Sequence, residues 1–336
     1  GLLEMVLAGT TTILDMGTVR HHDVVMEACV RAGLRAISGK TMMDAGDGVP
    51  RGLRETTKKS LDESERLRKA WHGAAGGRVL YAYAPRFILS CTEELVRAVS
   101  ALSAEHEVLV HSHAAEHPGE REAVRRALGG DDVGILRSWG LSGRRAILAH
   151  GVQLTDDEID AAVREGTRYV HCPSANLKLG SGIARTHEML ERGVVMGMGA
   201  DGAPCNNNLD PWLELRHAAL LSKVRAGTES LPARRALRLA TIDGATALGL
   251  GEVTGSIENG KRADLAVVRL DGPHAEPGGD VFSRLVYACG ARDVVHVLVD
   301  GEHLVRFGRS TRFEAAETLA TARAQAKKLA ARAGLR

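Results

Sequence analysis

Apolar and polar positions fall in alternating blocks along the chain. Short, almost continuous apolar runs at 11–15, 34–38, 79–83, 108–113, 146–150, 168–172 and 194–199 have the composition of parallel strands buried on both faces. Between them lie longer segments of helical period, such as 23–32, 93–102 and 156–164. Two of these open on Ser/Thr-x-x-Glu, Ser90 to Glu93 and Thr155 to Glu158, in which side chains satisfy the free amides of a first helical turn. The repetition predicts an α/β fold with a parallel sheet. Seven such strands are one fewer than close a (β/α)8 barrel. Residues 1–9 read as the last turns of a helix that ends on glycine and feeds the first strand. A further strand and helix are therefore expected ahead of Gly1.

Helical segments at 211–226 and 233–247 finish the barrel, which is assigned to 1–252. The pattern then changes. Residues 255–268 read as strands separated by turns, and 297–305 as a hairpin about Asp300-Gly301, so a small β-sandwich annex is expected over 253–310. The remaining segment, 311–336, reads as an Ala-rich helix with a solvated Lys/Arg face, opened by a capping pattern at Thr311 and Glu314.

Composition narrows the function classes. A net charge of +2 and an aromatic content of 3% give no basic or stacking surface for nucleic acid. No apolar run approaches the ~20 residues of a membrane span, and no signal peptide is visible. The five cysteines are scattered without a CxxC pair, which argues against a disulfide framework or a cysteine zinc site and points to the reducing cytoplasm.

Candidate chemistry gathers where the strands end. In a parallel barrel the C-terminal strand tips converge, and here those tips carry Arg86, His113 with Glu116, His150, His171 and Asp201. Imidazole and carboxylate are donors that Zn²⁺ and Fe²⁺ accept, so the set outlines a hydrolytic metal centre. His111-x-His113 also has the spacing of two ligands on one strand face.

The segments His113-Ala-Ala-Glu116, Leu148-Ala-His150-Gly-Val152, His171-Cys-Pro-Ser-Ala-Asn176 and Gly199-Ala-Asp201-Gly-Ala-Pro-Cys-Asn206 resemble the amidohydrolase superfamily, in the branch that deaminates adenosine derivatives and related heterocycles. The opening Gly9-Thr-Thr-Thr12 and the later Gly260-Lys-Arg-Ala-Asp264 fit it too. The resemblance implies that His113 and Asp201 ligate one divalent metal, zinc first and iron as the alternative. It implies that Asp201 takes a proton from the attacking water, that His150 hydrogen-bonds this water, and that Glu116 passes protons to the ring nitrogen and the leaving ammonia. His111 then drops out. The family's other two metal ligands form a His-x-His pair on its first strand, which this chain does not contain; the adjacent His21-His22 cannot replace it. Weak metal binding and little activity are expected of these 336 residues alone.

A 5′-modified adenosine is the expected substrate and a homo-oligomer the expected state. Lys40 and Arg51 are candidates to face its ribose or 5′ substituent, and Arg86 to contact the ring. The Pro85-Arg86-Phe87 run also resembles guanine deaminases, while the loop after Asp201 resembles the triazine hydrolases as well. A guanine deaminase, a triazine hydrolase and an inactive remnant remain as alternatives. The GxGxxG match at 197–202 precedes a Pro/Asn loop instead of a helix and carries no dinucleotide site.

Overall fold

In the computed structural model, residues 1–335 are described, and all seven expected strands form: β1 (Thr12–Met16), β2 (Arg35–Gly39), β3 (Val79–Tyr81), β4 (Val110–Ala114), β5 (Ala146–His150), β6 (Arg168–His171) and β7 (Met196–Met198). Successive strands pair in parallel within two groups. Ladders join β1–β2–β3 and β4–β5–β6–β7, and parallel bridges at Tyr83–Val110 and Phe87–His113 link the two groups. Among the described residues no ladder joins β1 to β7. The array is that of a (β/α)8-type barrel with seven parallel strands.

The helices follow from local chemistry. His22–Ala32 ends on Gly33 at φ +82°, and Asp156–Glu165 opens with the expected reciprocal cap between Thr155 and Glu158 and ends on Gly166 at φ +78°. Glu93–His106 is also present, but its cap is Thr92, which accepts from the Leu95 amide. Ser90 lies instead in a 3₁₀ turn, with its hydroxyl on the Phe87 carbonyl. Pro211–Ala226 forms as expected. The segment 233–247 splits into Ala233–Leu239 and Ile242–Ala247, because Thr241 leaves the helical region at φ −128°, ψ −109°.

Strand β2 ends in a close approach that only glycine permits. A Cβ on Gly39 would stand 1.9 Å from the Ala82 carbonyl oxygen, a backbone atom that cannot turn aside. Gly39→Ala is expected to cost about 1–3 kcal/mol, read as a lower urea midpoint at unchanged slope; an unchanged midpoint would contradict this packing.

The annex is one antiparallel sheet rather than a sandwich: β8 (Leu265–Val268), β9 (Val294–Val299), β10 (Glu302–Arg306) and β11 (Arg309–Ser310), with the expected hairpin at Asp300-Gly301. Residues 255–264 are bends, one turn and irregular backbone, and among the described residues this part of the chain forms no second sheet. The sheet instead buries Val297, Val299, Leu304 and Val305 with Val6, Ala32 and Leu34 from the barrel side. The last helix, Ala315–Arg332, has no buried residue; it starts at Glu314, while Thr311 bonds the His303 carbonyl. No helix among the described residues is long and apolar enough to cross a membrane.

Candidate active site

Register sets the site. His113 pairs with Ala149 and Ala114 with His150, so the tips of β4 and β5 stand level. The His113 and His150 rings stack at 5.4 Å between centroids, inclined by 26°. His150 Nε2 lies 3.6 Å from Glu116 Oε2. Asp201 follows β7, where the Gly199 amide bonds the His171 carbonyl. The four residues expected to carry the chemistry are thus at one end of the barrel.

Three tip residues without the freedom of glycine hold left-handed backbone: Ala115 at φ +52°, His150 at φ +79° and Asp201 at φ +61°. Such conformations cost about 1–3 kcal/mol each and persist where surrounding bonds enforce them. Those bonds are present. The Ala115 amide donates to Asp132 Oδ2 at 2.5 Å, and its carbonyl accepts from the Gln153 amide at 2.8 Å. The bend at Ala115 carries the chain from His113 round to Glu116. Asp201 Oδ1 accepts from the Gly202 amide at 2.5 Å, and Asn206 ties the same loop by donating to the Ala200 carbonyl and to buried Glu214.

The imidazoles are oriented from behind. His113 Nδ1 lies 2.7 Å from the Arg86 carbonyl, an atom that only accepts, so Nδ1 carries the proton and Nε2 keeps its lone pair. His150 Nδ1 lies 2.8 Å from Asn176 Oδ1. Burial, then the adjacent His150, lowers the His113 pKa, and burial lowers that of His150. Burial also raises the Glu116 carboxyl pKa, which favours its protonated form.

Glu120, one turn beyond Glu116, is pushed up to about 7 by burial and then by Asp132 and Glu116, and its Oε1 is buried without a partner. Its folded pKa lies above its unfolded one, so ionisation weakens the fold progressively between the two values and fully above pH ~7. Glu120→Gln is expected to match the parent at pH ~4 and to be more stable at pH ~8, by on the order of 2 kcal/mol. Denaturant unfolding at both pH values reads this; equal stability at pH ~8 would contradict it.

Arg86 stands at the rim, with its guanidinium 4.5 Å over the Phe87 ring. Lys40 does not reach the site: it is 0% exposed, and Glu55, the Ser60 hydroxyl and the Thr41 carbonyl take its ammonium. An ammonium neutralised in the interior cannot also meet a substrate, so that expectation is corrected. Arg51 is exposed in the turn after Pro50, and no bond joins its side chain to His113, Glu116, His150 or Asp201. His111 is buried deeper, 6.0 Å from the His113 ring, and burial pushes its pKa down to about 3. His171 is also buried and pushed down to about 3. Sequence reading assigned no role to Asn176 and Asn206, which lie in the segments that carry the resemblance, and none to Asp132 and Glu214; for Glu214 a signal was available, a charge on the helix face that also buries Leu215, Ala218 and Ala219.

The amidohydrolase family model matches residues 1–304. The chain belongs to the amidohydrolase family. This amidohydrolase is 40% identical over 320 residues to 5-methylthioadenosine/S-adenosylhomocysteine deaminase of Moorella thermoacetica, covering 95% of this chain and 72% of the relative. It is 36% identical over 330 residues to the 5′-deoxyadenosine deaminase of Methanothermobacter thermautotrophicus, covering 98% and 75%. Among solved structures, an adenosine deaminase from Xanthomonas campestris with bound zinc superposes with a TM-score of 0.92 at 30% identity, covering 97% of this chain and 73% of that one.

Proposed function

We propose that this amidohydrolase removes the 6-amino group of a 5′-modified adenosine by hydrolysis, releasing ammonia and the inosine analogue. 5′-Deoxyadenosine, methylthioadenosine and S-adenosylhomocysteine are the substrate class, supported by the names of the two curated relatives. The observation that carries the chemistry is the half-buried Glu116 carboxyl, raised in pKa and 3.6 Å from His150 across the β4 and β5 tips.

A divalent metal, zinc or alternatively iron, belongs to this reading. His113 Nε2 and the Asp201 carboxylate are donors of the right type for it. Among the described residues no third His, Cys, Asp or Glu joins them, whereas hydrolytic zinc sites take about three protein ligands. The pair therefore fits as part of a ligand set. When bound, the metal acidifies water near neutral pH.

The residues of this chain do the rest. Asp201 takes a proton from the attacking water, and His150 holds that water by Nε2. Glu116 gives its proton to the ring nitrogen beside the attacked carbon and then takes back the hydroxyl proton of the adduct, while the water proton held by Asp201 passes to the departing amine, so that ammonia leaves neutral and both carboxyl groups are restored. Arg86, at the rim, faces the purine or its 5′ substituent.

The test is a substrate panel with the full-length gene product. Methylthioadenosine or 5′-deoxyadenosine is expected to exceed guanine and a chlorotriazine by about 10-fold or more in kcat/KM, as for a site built to read a substrate polar group. A preference for guanine or the triazine would overturn the reading.

A further inference from the structure

Arg86 supplies a backbone acceptor to His113, and a side chain plays the same part for His150. We infer that Asn176 is a positioning residue that fixes His150 in the Nδ1–H tautomer and so keeps Nε2 free to accept from the attacking water. The inference rests on the deaminase reading for its catalytic meaning, but the tautomer itself does not depend on it.

His150 and Asn176 are each 1% exposed, so solvent does not compete for their contact. Nδ1 meets the carboxamide oxygen at 2.8 Å, and an amide oxygen only accepts. The ring nitrogen that faces it must therefore donate, and in a neutral imidazole this leaves the lone pair on Nε2. Glu116 does not compete for Nε2, because 3.6 Å exceeds a hydrogen-bond length. The His150 backbone at φ +79° and the stack on His113 limit how the ring can turn.

Asn176 is itself held. It lies in the short helix Pro173–Lys178 directly after β6, with its amide on the Cys172 carbonyl at 3.0 Å and its carbonyl accepting from Ser181 at 2.8 Å. Its Nδ2 is buried without a partner, so the contact with the imidazole alone selects which end of the carboxamide faces Nδ1. The reversed amide would put Nδ2 against Nδ1 and move the ring proton to Nε2, where it would repel a donating water. The two arrangements are chemically opposite, and one measurement separates them.

That measurement is the long-range ¹H–¹⁵N spectrum of the metal-free 336-residue chain labelled with ¹⁵N-histidine, near pH ~8 where an ordinary imidazole is neutral. The His150 signals are identified by their loss in His150→Gln. The expected result is a protonated Nδ1 and an unprotonated Nε2 in the parent, retained in Asn176→Asp, which keeps the acceptor oxygen. In Asn176→Ala the ring is expected to revert to the Nε2–H form favoured by an unconstrained histidine. In the full-length gene product, Asn176→Ala is expected to lower kcat about 10- to 100-fold with KM within about 3-fold, and Asn176→Asp to recover most of it. An Nε2–H tautomer in the parent would overturn the inference, and this result stands even where Asn176→Ala fails to fold. So would an Nδ1–H tautomer that survives in Asn176→Ala. An Nδ1–H form in the parent, together with no ammonia from any purine in the zinc-loaded full-length protein, would refute the proposed function and leave the positioning role intact.

Discussion

Glu116→Gln is expected to lower kcat for ammonia release by about 10²–10⁴-fold, the usual worth of a positioned proton donor, with KM little changed. Glutamine has nearly the same shape, so the bend at Ala115 and its bond to Asp132 should survive. What disappears is the transferable proton. The half-buried Glu116 carboxyl, raised in pKa by burial, stands close enough to His150 to share a substrate with it. A residual rate within about 3-fold of the parent would remove Glu116 from the chemistry, because no general acid of that small a contribution needs a dedicated residue. Steady-state absorbance or ammonia assays on the full-length gene product read the effect.

The second large effect lies far from the site. Arg35, at the start of β2, points its guanidinium into the junction with the annex, where Asp264 takes Nε at 2.7 Å and Nη2 at 3.0 Å and Asp300 takes Nη2 at 2.6 Å. Asp264 also accepts the Asp300 amide at 2.8 Å, so the cation and both anions form one knot at the base of the hairpin. Arg35→Ala would leave the buried Asp264 carboxylate without its counter-charge. Removing one partner of a buried ion pair costs about 3–5 kcal/mol, and that loss is expected here in chemical unfolding. A loss below ~1 kcal/mol would mean that the annex is held by its apolar cluster alone.

Much of this architecture was legible because parallel strands buried on both faces read as uninterrupted apolar runs. All seven expected runs became strands, and the polar residue that ended a run became a candidate for the site, as with His113 and His150. The errors came from partners distant in sequence. Lys40 looked free because Glu55, which neutralises it, and Ser60, which accepts a hydrogen bond from it, lie on the following loop and helix. The cap of Glu93–His106 fell on Thr92 instead of Ser90 because Asp44, from the preceding βα unit, takes both the Thr92 amide and its hydroxyl. The break at Thr241 has a tertiary context too: a Cβ on Gly197 of β7 would lie 3.2 Å from Gly244 Cα, so strand and helix meet backbone to backbone. Periodicity within one segment contains none of this.

The site shows the same division. Its donors stood at strand tips and were visible. The groups that aim them, Asn176 at His150, Asp132 at the Ala115 bend, and Asn206 with Glu214 at the Asp201 loop, are buried polar residues whose targets only the fold reveals.

In the proposed reaction His113, Glu116, His150 and Asp201 direct water at the amino-bearing carbon of a 5′-modified adenosine. It is tested most directly by incubating the full-length gene product, with zinc, and 5′-deoxyadenosine in ¹⁸O-labelled water, then measuring product mass and ammonia together. One ammonia per product molecule, solvent oxygen in the inosine analogue, and loss of both signals in His113→Ala and Asp201→Asn are expected. No ammonia, or product formed at the parent rate by those two variants, would contradict it.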